Sequence, residues 1–239
     1  KLSVIIPVMN EEQNIPLLLK SLKDALKGID YEVIIVDDGS TDNTAEVIKQ
    51  HADDRVSLVQ LRTNYGQSTA MAAGIDQAEG EYIATIDGDL QNDPRDIPIL
   101  LEAIENKHVD MIAGNRKNRQ DAFVMRKLPS KIANWLIRFF TGVRISDYGC
   151  TLKILNSKIA KNIGLYGEMH RFIPVLAKQE GARIIEMDVR HYARKYGETK
   201  YGLNRTFKVL SDLILVMFFQ RYLNKPMHIF GLTGVIIFV

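Results

Sequence analysis

The amino-acid sequence predicts an α/β fold built on a mostly parallel sheet with helices on both faces. Short apolar runs alternate with helical patterns through the first half of the chain. These runs are continuously apolar, as expected of parallel strands that are covered on both faces. Polar and acidic clusters stand where the runs end, and ligands bind outside the carboxyl ends of the strands in such sheets. The pattern therefore predicts both the fold and the edge of the sheet that carries its site.

The individual elements are predicted from residue type and spacing. Runs rich in Val and Ile favour strands, and apolar residues spaced three or four apart favour helices. In chain order we expect a strand at 2–6, a helix at 15–26, a strand at 32–36, a helix at 44–51, a strand at 56–61, a helix at 67–78, a strand at 82–86, a helix at 95–106 and a strand at 109–113. This alternation is typical of βαβ units.

Composition limits the classes of protein that fit. The 239 residues are 46% hydrophobic and 25% charged, which indicates a folded chain with a sizeable core. A net charge of +2 gives no support for nucleic acid as a partner. Basic residues concentrate in 116–144 and 183–208, which is typical of a phosphate ligand, an anionic membrane surface or a solvated face. The one cysteine, Cys150, excludes an internal disulfide and a cysteine-built zinc site.

The two ends of the chain predict a membrane protein. A strand pattern follows Lys1 directly and no signal peptide is visible, which favours a domain at 1–204 facing the cytoplasm. Residues 205–225 have a wide apolar face and either lie in the membrane interface or pack on the domain. Residues 226–239 carry no formal charge, and we expect them to begin a truncated transmembrane helix, with a final core helix as the alternative. The expected location is the inner or plasma membrane.

An acidic loop follows the predicted strand at 82–86. Residues 87–93 read DGDLQND, and like charges this close repel unless a cation lies between them. Carboxylate and amide oxygens are the ligands that Mg2+ or Mn2+ prefers, although Asp and Gly also mark turns. The two common glycine-rich sequences that bind the phosphates of a nucleotide, GxGxxG after the first strand and the P-loop, are both absent. We therefore expect a nucleotide whose pyrophosphate is held by the metal. Asn92 and Asp93, next to Pro94, are expected to start the following helix.

Two further polar loops are predicted at the same edge. The first strand leads to Asn10 and Glu11, which repel a phosphate unless a cation intervenes or unless they contact a base or ribose. The second ends at Asp37 and Asp38, whose carboxylates suit hydroxyl groups or ring nitrogens. The stretch 37–42 is also typical of a turn with a helix cap.

Five stretches of the sequence resemble one enzyme family, the family 2 glycosyltransferases of GT-A fold. IIPVMNEE at 5–12, VDDGSTD at 36–42 and DGDLQ at 87–91 are similar to that family, and DYGCTLK at 147–153 and RKYGETKYG at 194–202 narrow the similarity to its polyisoprenyl-phosphate branch. That branch includes dolichyl-phosphate mannose synthases, bacterial undecaprenyl-phosphate glucosyltransferases and aminoarabinose transferases. The GT-A fold is therefore the expected architecture.

The resemblance implies a role for each polar residue of these motifs. Nucleotide-sugar contacts are implied for Pro7, Asn10, Glu11, Asp37, Asp38, Asp87, Asp89, Arg116, Arg194 and Lys200, and metal ligation for Asp87, Asp89 and Gln91. Acceptor-phosphate contacts are implied for Arg126, Ser130 and His170, and a catalytic set for Asp147, Asp89 and Arg116. Asp147 is the expected base or acceptor-orienting group.

The resemblance also implies the reaction. A hexose passes with inversion from a nucleotide sugar to a polyisoprenyl phosphate, while metal and guanidinium groups offset the repulsion between donor and acceptor. UDP-glucose and undecaprenyl phosphate are the favoured substrates. The alternatives are a GDP-mannose-dependent dolichyl- or polyprenyl-phosphate mannose synthase, a UDP-aminoarabinose transferase, a soluble transferase acting on a sugar hydroxyl, and a non-catalytic nucleotide-sugar-binding scaffold. A homo-oligomer is left open.

Overall fold

The computed structural model describes residues 1–117, 137–139 and 141–196, together with the single positions 215, 218, 231 and 234. The strands are β1 (Leu2–Val8), β2 (Tyr31–Asp37), β3 (Val56–Gln60), β4 (Tyr82–Thr85), β5 (Met111–Asn115), β6 (Lys153–Asn156) and β7 (Ile184–Asp188). The helices are α1 (Ile15–Ala25), α2 (Thr44–His51), α3 (Gln67–Gln77), α4 (Asp96–Asn106), α5 (Ser157–Asn162) and α6 (Ile173–Gln179), with a 3-10 turn at Met169–Phe172.

Several predictions fall outside this part of the chain. They concern Arg126, Ser130, Lys200 and, apart from the four single positions, the segments 205–225 and 226–239. Among the residues that the structure describes, no helix has both the length and the apolar character needed to cross a membrane.

The sheet is mixed and mostly parallel, as predicted. Its seven strands lie in the order β3-β2-β1-β4-β6-β5-β7. β1 pairs in parallel with β2 along its full length and with β4 along its first four residues, and β2 pairs in parallel with β3. The strand ends that carry the acidic loops, those of β2, β1 and β4, are therefore immediate neighbours.

Side chains of β1 enter two separate cores because successive residues of a strand point to opposite faces. Ile5 packs in the core that includes Ala70 and Met71 of α3. Val4 packs on the other face, in the core that includes Leu18 of α1. Both faces of the sheet are covered, which confirms the prediction made from the continuous apolar runs.

Pro7 occupies a central strand, where a missing N–H group is usually costly. The carbonyl of Ile5 accepts a hydrogen bond from the N–H of Ile86, so this side of β1 faces β4. Pro7 faces the same side two residues later, and the pairing with β4 has ended at Ile5. Pro7 therefore lies beyond the part of β1 that pairs with β4, where no backbone N–H group is needed, and it leads into the loop that carries Asn10 and Glu11.

The sequence pattern does not reveal β6 and β7. β6 is four residues long, begins at the buried Lys153, and runs antiparallel to both β4 and β5. The residues of β7 are half-buried or exposed, so the strand lacks a continuous apolar run. Both strands extend the sheet beyond the part that apolar patterning identifies.

The helix predicted at 95–106 spans Asp96–Asn106, beginning two residues beyond Pro94. The carboxylate of Asp93 accepts a hydrogen bond from the N–H of Arg95 at 3.0 Å, so Asp93 does shape the entry to α4. The prediction that Asn92 caps this helix is wrong. Asn92 is buried, pairs with His191 in an isolated antiparallel bridge and donates its amide to the sulfur of Cys150.

Candidate active site

The loops after β1 and β2 form one linked unit. The N–H of Asn10 donates to the Ser40 hydroxyl at 2.9 Å, and the Asn10 side-chain oxygen accepts from the Thr41 N–H at 2.7 Å. The N–H of Glu11 donates to the hydroxyl of Thr44 at 2.8 Å. Asn10 has a φ of 52°, which asparagine tolerates better than most residues. The Asn10 side chain thus links the loop after β1 to the loop after β2, and this contact does not need a nucleotide.

Asp38 organises a third loop. Its two oxygens accept hydrogen bonds from the backbone N–H groups of Tyr65 at 2.7 Å and Gly66 at 2.9 Å, at the start of α3. Burial, the largest influence, raises the pKa of Asp38, while these two hydrogen bonds oppose the rise. Asp37 is also buried, and one of its oxygens accepts from the Ser40 N–H at 2.9 Å. Asp37 therefore retains more capacity than Asp38 to accept a ligand hydroxyl.

Asp87 lies between two polar side chains from other elements. One oxygen accepts from the Gln67 amide at 2.7 Å, and the other accepts from the Thr151 hydroxyl at 2.6 Å. Burial and, second, the neighbouring Asp89 raise the pKa of Asp87 to about 6, although Thr151 and the charge of Arg116 act in the opposite direction. A carboxylate with a raised pKa gains from an added cation.

Asp89 already faces a positive charge. Only 6% of Asp89 is exposed, and its Oδ2 accepts from the Arg194 guanidinium at 2.7 Å. The same guanidinium lies 4.0 Å from an oxygen of Glu11. The N–H of Gln91 donates to the other oxygen of Asp89 at 3.1 Å. Loops that are far apart in the sequence thus converge on one carboxylate.

The donor set fits a hard divalent cation. Asp87, Asp89 and Gln91 supply carboxylate and amide oxygens from one short loop, which are ligands typical of Mg2+ or Mn2+. Within the described residues, no group of three or more His, Cys, Asp or Glu could hold a metal. Mg2+ commonly keeps several waters and binds through one or two carboxylates plus substrate phosphates, so a sparse protein set is compatible with it. Asp89 also bonds to the Arg194 guanidinium, so this carboxylate can lie next to a positively charged group.

Arg116 and Asp147 form a buried pair beside β5. The guanidinium donates to both oxygens of Asp147, at 2.7 and 2.9 Å. Burial opposes the charge of Arg116, but the pairing with Asp147 outweighs it and holds the pKa of Arg116 above its ordinary value. A Cβ atom at Gly149 would lie 3.1 Å from the guanidinium, so this position favours glycine. Because both oxygens of Asp147 are engaged, the geometry favours an orienting role over that of a free base.

Lys153 is a cation that the sequence analysis did not assign to the site. It is 2% exposed and donates to the carbonyl of Cys150. Burial lowers the pKa of Lys153, while the charges of Asp147 and Asp87 oppose this effect. Its signal in the sequence is a lysine within the apolar run LKILN.

His170 has a different environment from the one expected of an acceptor-phosphate ligand. It is buried, and its Nδ1 lies 3.0 Å from the hydroxyl of Ser68. That hydroxyl also accepts from the His170 N–H, so its proton is available for Nδ1. Burial holds the pKa of His170 well below its ordinary value, and the ring is therefore neutral at pH 7. A neutral imidazole can donate a hydrogen bond to a phosphate but cannot offset its charge.

Comparisons with known proteins identify the family of this chain. The profile of Glycosyl transferase family 2 matches residues 3–164. A dodecaprenyl-phosphate galacturonate synthase from Rhizobium johnstonii is 47% identical over 98% of this chain and 71% of its own length. An undecaprenyl-phosphate 4-deoxy-4-formamido-L-arabinose transferase from Photorhabdus laumondii is 37% identical over 100% of this chain and 73% of its own length.

Solved structures share the fold at low sequence identity. Glucosyl-3-phosphoglycerate synthase from Mycobacterium tuberculosis, in complex with Mg2+ and UDP, superposes with a TM-score of 0.68 at 14% identity, covering 92% of this chain and 79% of that protein. TarS 1-349 from S. aureus, in complex with UDP-GlcNAc, gives a TM-score of 0.66 at 21% identity, covering 91% of this chain and 66% of that chain. The expected GT-A-like architecture is confirmed, and the chain belongs to glycosyl transferase family 2.

Proposed function

We propose that this protein transfers a sugar from a nucleotide sugar to a polyprenyl phosphate. The observation that carries the proposal is the 47% identity, across nearly the whole chain, to a dodecaprenyl-phosphate galacturonate synthase. The site supports it, because the Arg194 guanidinium meets the buried carboxylates of Glu11 and Asp89 on the loops after β1 and β4, and the buried Arg116–Asp147 pair lies beside β5. These are the charges needed to hold a diphosphate beside a second phosphate.

The chain's own residues have distinct roles in this proposal. Asp37 and Glu11 bind the base and ribose, and Arg194 contacts the diphosphate. Arg116, held by Asp147, faces the phosphates and offsets their repulsion. Asp89, Gln91 and Asp87 would hold a divalent cation, which would supply positive charge to offset the charge that develops on the leaving diphosphate.

The acceptor itself reduces the need for a base. A phosphate monoester has a second pKa near 6 and is mostly dianionic at neutral pH. One of its oxygens attacks the anomeric carbon, the bond to the diphosphate breaks, and the configuration inverts. This agrees with an Asp147 whose oxygens are both bonded to Arg116.

The sugar is proposed to differ from the glucose expected from the sequence. The two relatives are named for galacturonate and for 4-deoxy-4-formamido-L-arabinose, so the aminoarabinose alternative has better support than the UDP-glucose expectation. We propose galacturonate as the first candidate, since that relative is the more similar of the two. UDP is the proposed carrier, because UDP is bound in structures of the same fold.

A transfer assay with radiolabelled donors tests the proposal. UDP-galacturonate, UDP-4-deoxy-4-formamido-L-arabinose, UDP-glucose and GDP-mannose are each offered with undecaprenyl or dodecaprenyl phosphate and Mn2+ or Mg2+. We expect lipid-linked product with UDP-galacturonate above all. Product with another donor would correct the sugar alone. Binding of every donor without turnover would favour the scaffold alternative, and transfer only to sugar hydroxyls would favour the soluble transferase.

Membrane association is proposed on separate grounds. The acceptor is a lipid, so its phosphate has to reach Arg116 from a bilayer surface. The predicted interfacial segment 205–225 and transmembrane start 226–239 would bring the domain to that surface. Flotation of the 239-residue chain with vesicles, compared with residues 1–204, tests this, and equal flotation of the two would contradict it.

A further inference from the structure

The segment after β7 lies along the loop that carries the predicted metal ligands. We call residues 190–194 the strap and residues 87–93 the metal loop. The two run antiparallel where Asn92 pairs with His191. The N–H of Tyr192 donates to the carbonyl of Gln91 at 2.8 Å, and Arg194 reaches Asp89 at 2.7 Å. The strap therefore contacts the metal loop at successive positions.

The strap also sets the orientation of the Gln91 amide. Nε2 of Gln91 donates to the carbonyl of Tyr192 at 3.4 Å. With the nitrogen directed to the strap, the side-chain oxygen is directed away from it. An amide oxygen in this orientation is available to a cation, while the opposite rotamer of the amide would present its N–H groups.

Asp93 fixes the strap from inside the metal loop. It is 4% exposed, and its Oδ2 accepts from the Tyr192 hydroxyl at 3.1 Å. Arg95 donates to both of its oxygens, with the shortest contact at 2.6 Å, and also donates to the Tyr192 hydroxyl at 3.2 Å. A guanidinium nitrogen of Arg190 lies 3.6 Å from the same carboxylate. One buried carboxylate thus joins two strap side chains to the loop.

A second buried carboxylate fixes the beginning of the strap. Asp96, at the start of α4, accepts from the backbone N–H of Arg190 at 2.7 Å. Its other oxygen lies 3.5 Å from the Arg190 guanidinium. Because α4 packs against the sheet core through Ile97 and Leu100, the strap is anchored to a rigid part of the molecule.

We propose that Asp93, Tyr192 and Arg190 are positioning residues for the metal ligands, holding the strap so that Gln91 and Asp89 keep the geometry a divalent cation requires. The inference rests on the metal-dependent function proposed above. Outer contacts of this kind orient the groups that touch a metal, and their loss lowers metal affinity about 10- to 100-fold. None of the three residues needs to touch the cation itself.

Two variants test the role. Tyr192→Phe removes only the hydroxyl from a side chain that is 40% exposed, so its fold is expected to persist. Asp93→Asn keeps the size of the side chain and removes its charge. Asp188→Asn is the control, since Asp188 lies at the end of β7 and its carboxylate bonds to Lys117 and Asn115.

The measurements separate positioning from general stability. Mn2+ affinity is measured by calorimetry with and without UDP, UDP affinity is measured without metal, and the Tm is measured for each protein. We expect Mn2+ affinity to fall about tenfold or more in Tyr192→Phe and Asp93→Asn, and to remain unchanged in Asp188→Asn. Metal-free UDP affinity is expected to stay constant in all three.

The outcomes distinguish this inference from the function on which it rests. Unchanged Mn2+ affinity in a folded Tyr192→Phe variant would overturn the positioning role while leaving metal dependence intact. Equal losses of Mn2+ affinity and of metal-free UDP affinity would also overturn it, because a loosened site would then be the cause. A parent protein that transfers sugar without any divalent cation would overturn metal dependence and with it the positioning role, while the proposed transfer reaction would stand.

Discussion

Asp38 and Asp89 are both buried aspartates just beyond strand ends, yet their carboxylates have unrelated partners. Asp38 accepts two backbone N–H groups and shapes a loop, whereas Asp89 faces the guanidinium of Arg194. The sequence predicts that both lie at the acidic edge, because apolar runs locate the strand ends. It cannot separate their roles, because the N–H groups that engage Asp38 come from residues 65 and 66, and Arg194 comes from beyond β7.

We expect Arg194 and a divalent cation to compete for the carboxylate of Asp89. Arg194→Ala is expected to raise the affinity of the nucleotide-free protein for Mn2+ several-fold, because it removes a positive charge bonded to Asp89. The same change is expected to lower turnover, because Arg194 is proposed to contact the diphosphate. Calorimetry and the transfer assay measure the two effects, with Asp89→Ala as the comparison that loses both binding and turnover. A fall in Mn2+ affinity in Arg194→Ala would contradict the competition.

If Asp87 binds the proposed cation, its raised pKa is expected to make metal binding depend on pH. A pKa of about 6 means that a cation has to displace a proton below pH 6, so Mn2+ affinity is expected to fall about tenfold per unit there. The folded protein holds this proton more tightly than the unfolded chain, so in the metal-free protein the Asp87 contribution favours folding increasingly as pH falls from 6 to 4. Calorimetric titration between pH 5 and 8 measures the slope. The same slope in Asp87→Asn would contradict the assignment.

At the scale of elements, the loops after β1, β2 and β3 are held together by close backbone contacts. Gly39 has a φ of 71°, and a Cβ atom there would lie 2.5 Å from the backbone carbon of Thr63. This glycine allows the turn that carries Asp37 and Asp38 to approach the loop whose N–H groups bond to Asp38. The turn residues are visible in the sequence, but the approach of Thr63 depends on the lateral order of β2 and β3.

Gly39→Ala is expected to lower the free energy of unfolding by more than the cost of a positive φ alone. The added Cβ atom would also overlap the backbone of Thr63. Strain of this kind costs about 1–3 kcal/mol, and the overlap adds to it. Gly28→Ala is the matched control, because Gly28 has a φ of 88° with nothing within 4 Å of an added Cβ atom. Urea unfolding measures the free energy of both. Equal losses of unfolding free energy in the two variants would contradict an added penalty from overlap with Thr63.

The first five strands and the first four helices could be predicted because each is a regular apolar pattern. β6 could not, since it is four residues long, begins at a lysine, and has a place between β4 and β5 that depends on pairing with distant residues. The segment that leads into this strand brings Thr151 to Asp87. The sequence analysis therefore missed Thr151 and Lys153 together with the strand that follows or contains them.

At the scale of the whole molecule, donor and cation are expected to stabilise the native state together. A ligand that binds only the folded protein adds about 2.7 kcal/mol at 100 times its Kd. UDP with Mn2+ is therefore expected to raise the Tm more than the sum of the shifts from UDP alone and Mn2+ alone. Thermal unfolding followed by circular dichroism measures the shifts. In Asp89→Ala the extra shift is expected to vanish, and its persistence would place the cation elsewhere.

The antiparallel strand between β4 and β5 also has a consequence for how the chain acquires its site. β2 pairs with β1 and β3, its neighbours in sequence, whereas β1 must also find Tyr82, Thr85 must find Lys153 and Met111 must find Ile184. Pairings across long loops form slowly, because the entropy of closing the loop is lost before the contact is gained. During synthesis the edge that holds Asp37, Asp38 and Asp89 emerges first, and the segment bearing Thr151 and later Arg194 docks onto it afterwards. We therefore expect a stage of synthesis at which Asp37, Asp38 and Asp89 have left the ribosome and Arg194, which bonds to Asp89 in the folded protein, has not.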